Sequence, residues 1–376
     1  MRKEVTWFND FSCLCGDCPE SCCRGWVIPL SDQDCERLQR EKGFAGAALF
    51  FATGGWSRAK FNTGSGKCPF WEADGLCRLQ KKKGHDFIPW TCQSFPRFYR
   101  NYGEFEECCL DLSCPGAARL FLENKGSLEL TQNGGDPVTQ PCSTNDDREY
   151  FGFLLRERGS MCTRIRDVFD KKDRNVCAHL TDALFLYSVK LQDIYAKGED
   201  AAAAGMSFDK FIADLPCDDE RKPYSFPLPA SVLTGILASP INHIRLKRVN
   251  PKLYGMFVRA SRMLTRLGTD SGWKEAVSRF LNDDPDIIPV LGAYLSYYLF
   301  QYFLRVYETY SFRRQIALGL CHMNMILLLL MAESAEGHAA DEMLETVIAV
   351  YNRRAYFNDD ILDDIYRIFE SSVPKT

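Results

Sequence analysis

Histidine is scarce, with 5 in 376 residues. A site that pairs imidazoles with thiolates has few donors to draw on here, and His179, His243 and His322 offer no ligand pairing. An excess of charge of one sign is also missing. The 46 Lys+Arg stand against 50 Asp+Glu, a formal net charge of -4. That balance leaves no electrostatic footprint for nucleic acid or for an anionic membrane surface. No strand is followed by a Gly-x-Gly-x-x-Gly turn and a helix, so an ordinary Rossmann nucleotide site is not expected, and "TGGW" and "TGSG" read as plain turns. Long apolar runs are few. The longest, Ile316 to Ala332, is short for a spanning helix and carries His322 and Asn324 inside it. It reads as a buried core helix rather than a membrane span. The opening "MRKEVTWFNDFSC" has no apolar stretch after its basic residues, so no signal peptide is read. The expected compartment is the cytoplasm, where disulfides are rare.

Cysteine, by contrast, is abundant, and 17 thiols in such a compartment ask for metal. Twelve lie between Cys13 and Cys114, and five of these fall within "CLCGDCPESCC". This first cluster offers Cys13, Cys15, Cys18, Cys22 and Cys23, with Gly16, Asp17 and Pro19 to make the turns. Further thiols follow in "KCPFWEADGLC" (Cys68, Cys77), "PWTCQSFPR" (Cys92) and "ECCLDLSCPGAAR" (Cys108, Cys109, Cys114). Neighbours along an extended chain point to opposite sides, so Cys22 and Cys23 do not easily face one metal. Either one ligates and the other packs, or they serve two centres. Cys35, Cys142, Cys162, Cys177, Cys217 and Cys321 are isolated and read as small buried hydrophobes. Structural zinc usually shows two C-x2-C knuckles, and here Cys15–Cys18 has no matching second pair. All-thiolate ligation at irregular spacing suits an iron–sulfur cluster at least as well, with zinc as the alternative.

Composition changes along the chain. The first part is rich in Gly, Pro and Trp, with turn signals every few residues. One early helix is expected over "SDQDCERLQREKGF", capped by Ser31 or Asp32 and ended by Gly43. "SLELTQ" alternates like a strand. From Asp146 onward apolar residues recur near 3.6 spacing, while "KGEDAAAAGMSFDK" and "LPCDDERKPYSFPLPAS" read as loops. The expected fold is mainly α: an irregular Cys-rich metal-binding N-terminal module, residues 1–145, packed on an all-helical C-terminal domain, residues 146–376. The tyrosine-rich "YLSYYLFQYFLRVYETY" reads as core and the acidic "FNDDILDDIYRIFE" as a solvated face.

Taken in order, "CLCGDCPESCCRGW", "CPFWEADGLC", "TCQSFPR" and "LSCPGAARL" resemble the FliB-type flagellin lysine N-methylase family, a cysteine-rich group once described as zinc- or iron-chelating. The likeness covers residues 8 to 122 and the "YLSYYLFQYF" stretch. It implies Cys13, Cys18, Cys22 and Cys23 from the first motif, Cys68 and Cys77 from the second, Cys92 from the third and Cys114 from the fourth as metal ligands, leaving Cys15 as an extra thiol. It also implies methyl transfer from S-adenosylmethionine to lysines of flagellin, with a 4Fe–4S cluster. Arg97 and Arg119 are candidates for the cofactor carboxylate, and Trp26 for stacking on it. The C-x3-C-x2-C spacing of radical enzymes is missing, because Gly25 stands where the third cysteine belongs. The competing class is a non-catalytic zinc- or iron-binding or electron-relay protein whose helices dock a partner.

Overall fold

The computed structural model describes residues 1–24, 28–40, 67–139, 148–215, 226–239, 246–355 and 359–372. Trp26, Cys142, Cys217 and the expected stop at Gly43 lie outside the described residues.

The C-terminal part is helical throughout its described residues. Its main helices are Arg148–Phe169, Arg174–Ala196, Pro251–Leu267, Asp270–Asp283, Ile287–Tyr302, Phe312–Ser334, Ala340–Ala355 and Asp359–Ser372. Local sequence explains several starts. Asp173 accepts hydrogen bonds from the amides of Asn175 and Val176, Thr269 from Gly272, and Ser311 from Arg314. Asn250 caps a helix whose first residue is Pro251, where the missing N–H costs nothing. Gly268 ends that helix with φ +70°. Two further helices were not expected. Phe208–Asp214 and Ala230–Ala238 begin at the ends of the two proline- and alanine-rich loops. The second starts directly after Pro229, where proline suits a first helical turn.

The helices Ile287–Tyr302 and Phe312–Ser334 are long and apolar, yet they lie buried at the centre of the protein. Their polar groups are satisfied internally, as a core demands. Tyr297 donates to the carbonyl of Leu110 at 2.7 Å, Tyr294 to Asn352 at 2.6 Å, and Asn324 accepts from the amide of Leu228 at 2.9 Å. The tyrosine stretch is thus core, as its spacing suggests. In the acidic stretch Asp359 and Asp360 are exposed, whereas Asp364 is buried against Ser239 and Arg367.

His322 sits in this core with Nδ1 2.8 Å from the hydroxyl of Tyr351. Burial holds its pKa down, to about 3. The unfolded chain therefore binds a proton that the folded chain refuses between about pH 6.5 and 3, and stability falls as pH drops through that window. Relative to a His322→Asn variant, the wild-type protein should lose about 2 kcal/mol more unfolding free energy between pH 7 and pH 5. Urea titrations at the two pH values measure this, and parallel losses would refute it.

The N-terminal part is less irregular than its sequence suggests. It carries a four-stranded sheet in the order β2-β3-β1-β4, made of β1 Arg2–Val5, β2 Arg97–Asn101, β3 Glu106–Leu110 and β4 Leu130–Asn133. β1 runs parallel to β3, with Arg2 opposite Glu106, and antiparallel to β4. β4 falls inside the alternating "SLELTQ". The helix Asp32–Arg40 also forms where expected. Ser31 Oγ accepts from the amide of Asp34 at 3.1 Å, while the Asp34 carboxylate accepts from the amide of Ser31 at 3.1 Å, a reciprocal cap.

Hydrophobic burial divides differently from composition. The large core takes in Val5, Trp7, Phe8, Phe11, the apolar residues of β3 and the helix Pro115–Glu123 together with the C-terminal helices. A small separate core holds Ile28, Leu30, Cys35, Leu38, Cys68, Phe70, Leu79 and Ile88. So few side chains give little burial free energy, and a segment of this kind depends on added cross-links for its stability.

Candidate metal centre

Three loops and one helix start bring the cysteines together. The first cysteine stretch coils through a single turn at Cys15–Asp17, with Cys15 at φ +49°. Gly16 presses on the turn at Gly75: a Cβ on Gly16 would lie 3.3 Å from the carbonyl oxygen of Asp74, and Gly75 itself has φ +79°. Both glycines are therefore required by close approach or backbone angle. Farther along, the amide of Cys68 donates to the carbonyl of Cys23 at 2.7 Å, and Arg24 pairs with Lys67. A second bridge joins Trp71 to Cys77. Cys92 lies on the short helix Trp90–Ser94, and Cys114 caps the helix Pro115–Glu123.

Asp34 fixes the position of Cys92. Its buried carboxylate accepts from the amide of Trp90 at 3.2 Å and pairs with Arg37 at 2.6 Å. Arg37 and Gln93 in turn donate to the carbonyl of Ile88, at 3.0 and 2.6 Å. Asp34→Ala should cost about 2–3 kcal/mol in this segment, because buried donors lose their acceptor. Hydrogen exchange should accelerate in residues 67–94 and not in the helix Phe312–Ser334; uniform exchange would contradict the local role.

The result is a cavity of about 540 Å³ walled by Cys13, Cys15, Cys18, Cys22, Cys23, Cys68, Cys77, Cys92 and Cys114, together with Arg97 and Arg353. All eight cysteines singled out in the four motifs face it, and so does Cys15. Cys13 and Cys15 are exposed, Cys68 is buried, and the other six are half-buried. Among the described residues, no three His, Cys, Asp or Glu side chains close around a single point. The thiols line walls instead. Cys108 and Cys109 stand apart: both are buried in β3, and Cys109 Sγ is 3.3 Å from Gln301 Nε2.

Electrostatics keeps these thiols protonated. The Cys23 thiol raises the pKa of Cys22 well above its usual value, and burial adds to this. Cys23 is favoured as thiolate by Cys22, yet its hydrogen bond to Cys68 and its burial push it up to about 12. Burial raises Cys92, with the neighbouring thiols Cys22, Cys23 and Cys77 in support. Burial also takes Cys114 to about 12, against the amides of Ala117 and Gly116. Crowded thiols that resist ionisation are a poor resting arrangement on their own. A soft metal removes the penalty by displacing the protons and bridging the sulfurs.

Of the two candidate arginines, Arg97 faces the cavity, its guanidinium stacked 5.8 Å from the ring of Phe8 and 5.5 Å from that of Phe11. Arg119 lies on the helix Pro115–Glu123 outside the cavity wall, half-exposed and paired with Glu345 at 2.9 Å. Sequence reading missed Arg353. This buried residue of the helix Ala340–Ala355 donates to the carbonyls of Ser21 at 3.0 Å, Glu20 at 2.7 Å and Ser113 at 2.9 Å. It thereby ties the first cysteine loop and the Cys114 turn to the helices. Nothing near it in sequence signals this, because its partners lie more than 200 residues away.

The fold and cavity together describe a mainly helical protein with a polythiol pocket between a small sheet-bearing part and its helices. The chain is similar to proteins named lysine-N-methylase: it is 29% identical over 143 residues to that of Salmonella choleraesuis strain SC-B67, covering 35% of this chain and 36% of that protein. It is 28% identical over 143 residues to that of Salmonella typhimurium strain LT2, with the same coverage. It is also 28% identical over 141 residues to the flagellar biosynthetic protein FliU of Salmonella muenchen, 34% of this chain and 83% of that protein. The match thus spans about a third of the length of the lysine-N-methylases. No family model matches the chain, and no solved structure matches it.

Proposed function

We propose that this protein is a protein-lysine N-methyltransferase that uses S-adenosylmethionine, acts on flagellin and holds a 4Fe–4S cluster at its polythiol cavity. The observation that carries the reading is the similarity to proteins named lysine-N-methylase. The flagellar name of a third relative supports flagellin as substrate.

The donor set fits an iron–sulfur cluster. A structural zinc needs its sulfurs about 2.3 Å from one ion, whereas these thiols surround a space with no three closed on a point. Cluster assembly inside such a space, with thiolates on its walls, suits this arrangement better. When bound, the cluster supplies Lewis-acidic iron and cross-links the loops. Arg97 offers a cation at the same wall for the methionyl carboxylate. In the transfer, the neutral lysine nitrogen attacks the methyl carbon, and the C–S electron pair leaves on sulfur as a thioether. The extra proton on nitrogen then passes to solvent. The amine must be deprotonated to attack, and burying its apolar stem favours that form.

The test is direct. Protein purified without oxygen should be brown, contain about four irons per cluster, and transfer methyl groups from S-adenosylmethionine to flagellin lysines, read by mass spectrometry. Colourless protein with stoichiometric zinc would overturn the cluster. Absence of both S-adenosylmethionine binding and methyl transfer would favour a non-catalytic metal protein.

A further inference from the structure

We infer that the cavity thiols form two four-thiolate metal centres rather than one, with the chain passing from the first to the second between Cys22 and Cys23. The inference rests on reading the cavity as a metal site.

The first observation is where the cysteines pack. Cys68 belongs to the small hydrophobic core, and Cys23, Cys77 and Cys92 pack against it. Cys114 packs against the large core. Cys22 belongs to neither, although its neighbour in sequence does. The four cysteines of the small core come from four separate turns, yet all converge on one cluster of apolar side chains.

The second observation is how the thiols neighbour one another. Cys23 hydrogen-bonds Cys68 through side chains as well as backbone, and its field also couples to Cys77. Cys92 feels Cys23 and Cys77, and Cys22 as well. On the other side, Cys114 couples to Cys18 and Cys22, and Cys15 to Cys13 and Cys22. Arg353 faces Cys18 and Cys22 but couples to none of the small-core cysteines. Cys22 touches both groups, as a residue at the divide must.

Stereochemistry gives the reason for a divide here. Successive side chains of extended backbone point apart, so one metal does not easily take both members of a Cys-Cys pair. Two centres use both. The first takes Cys18, Cys22 and Cys114 with Cys13 or Cys15 from the exposed end. The second takes Cys23, Cys68, Cys77 and Cys92. Each set contains four thiols, the number that a cubane cluster or a tetrahedral zinc requires. The second centre also supplies the cross-link that the small core lacks.

Metal analysis of the full-length protein, purified anoxically with iron and sulfide supplied, tests this before any substitution. Two centres give about eight irons with matching sulfide, or about four irons together with one zinc. About four irons and no zinc would overturn the second centre while leaving the first intact. Absence of any bound metal would overturn the metal reading of the cavity itself. Paired variants then separate the sets. Cys18→Ser with Cys22→Ser should remove one centre and retain the other, and Cys68→Ser with Cys77→Ser should do the reverse, read by Mössbauer spectroscopy and zinc content. Complete metal loss in both pairs, with far-ultraviolet circular dichroism unchanged, would show a single shared centre. Wild-type stoichiometry stands as the deciding measurement if the second pair fails to fold.

Discussion

Arg353→Ala is expected to lower unfolding free energy by about 3–5 kcal/mol and to strip metal from the cavity, although residue 353 is not a metal ligand. The side chain is 4% exposed and donates to three carbonyl oxygens. Ser21 O adjoins Cys22, and Ser113 O adjoins Cys114. Removing the guanidinium leaves these acceptors buried without donors, and each such loss costs about 1–3 kcal/mol. The two loops are then free to separate, so the geometry of Cys18, Cys22 and Cys114 is lost with them. The cation also opposes the burial that raises Cys18, which makes thiolate formation harder in its absence. Arg353→Lys keeps the charge but not the fork of donors, and should fall between the two in both readouts. The measurement is a urea titration paired with iron counting per folded chain. Wild-type midpoint and wild-type metal content in Arg353→Ala would remove this residue from the account.

Arg353 also shows where sequence reading stops. The cysteine stretches carry their own turn residues, so Gly16, Pro19 and Gly75 made a convergence of thiols legible from local pattern alone. The helical half was legible for the same reason: period and caps are local. Sheet pairing was not. β1 is four residues long, and its parallel partner β3 begins at Glu106, so the signal is a register across a hundred residues rather than an alternation. β3 itself reads "EECCL", which the eye assigns to metal ligation because two cysteines stand together. Burial decides otherwise, since Cys108 and Cys109 pack into the large core and face away from the cavity. The residues Ala340–Ala355 and Asp359–Ser372, read as one helical stretch, form two helices on either side of residues 356–358. In each case the missing information was tertiary: which distant surface a short segment meets.

The ion pair between Glu107 and Arg158 carries the second large effect. Glu107→Ala should destabilise the protein by about 3–5 kcal/mol, because it leaves a guanidinium buried without its counter-charge. Arg158 meets Glu107 through two nearly parallel hydrogen bonds, at 2.8 and 2.6 Å, and donates to the carbonyl of Phe300 at 3.0 Å. Both side chains are buried, at 7% and 6% exposure. Burial disfavours the Arg158 cation, and Glu107 more than restores it, so its pKa is raised. The pair joins β3 to the helices Arg148–Phe169 and Ile287–Tyr302, which means it fastens the sheet to the helical part. Replacing both partners, as Glu107→Met with Arg158→Leu, removes the stranded charge and should return stability to within about 2 kcal/mol of wild type. A double-mutant cycle from urea titrations gives the coupling between them. A Glu107→Ala variant as stable as wild type, or a double variant worse than the sum of the singles, would refute the assignment. Metal content separates this role from that of Arg353. Glu107 does not line the thiol cavity, so the fraction of Glu107→Ala that remains folded should keep its full complement of iron. Stability would then fall without the metal centre changing, whereas loss of Arg353 lowers both together.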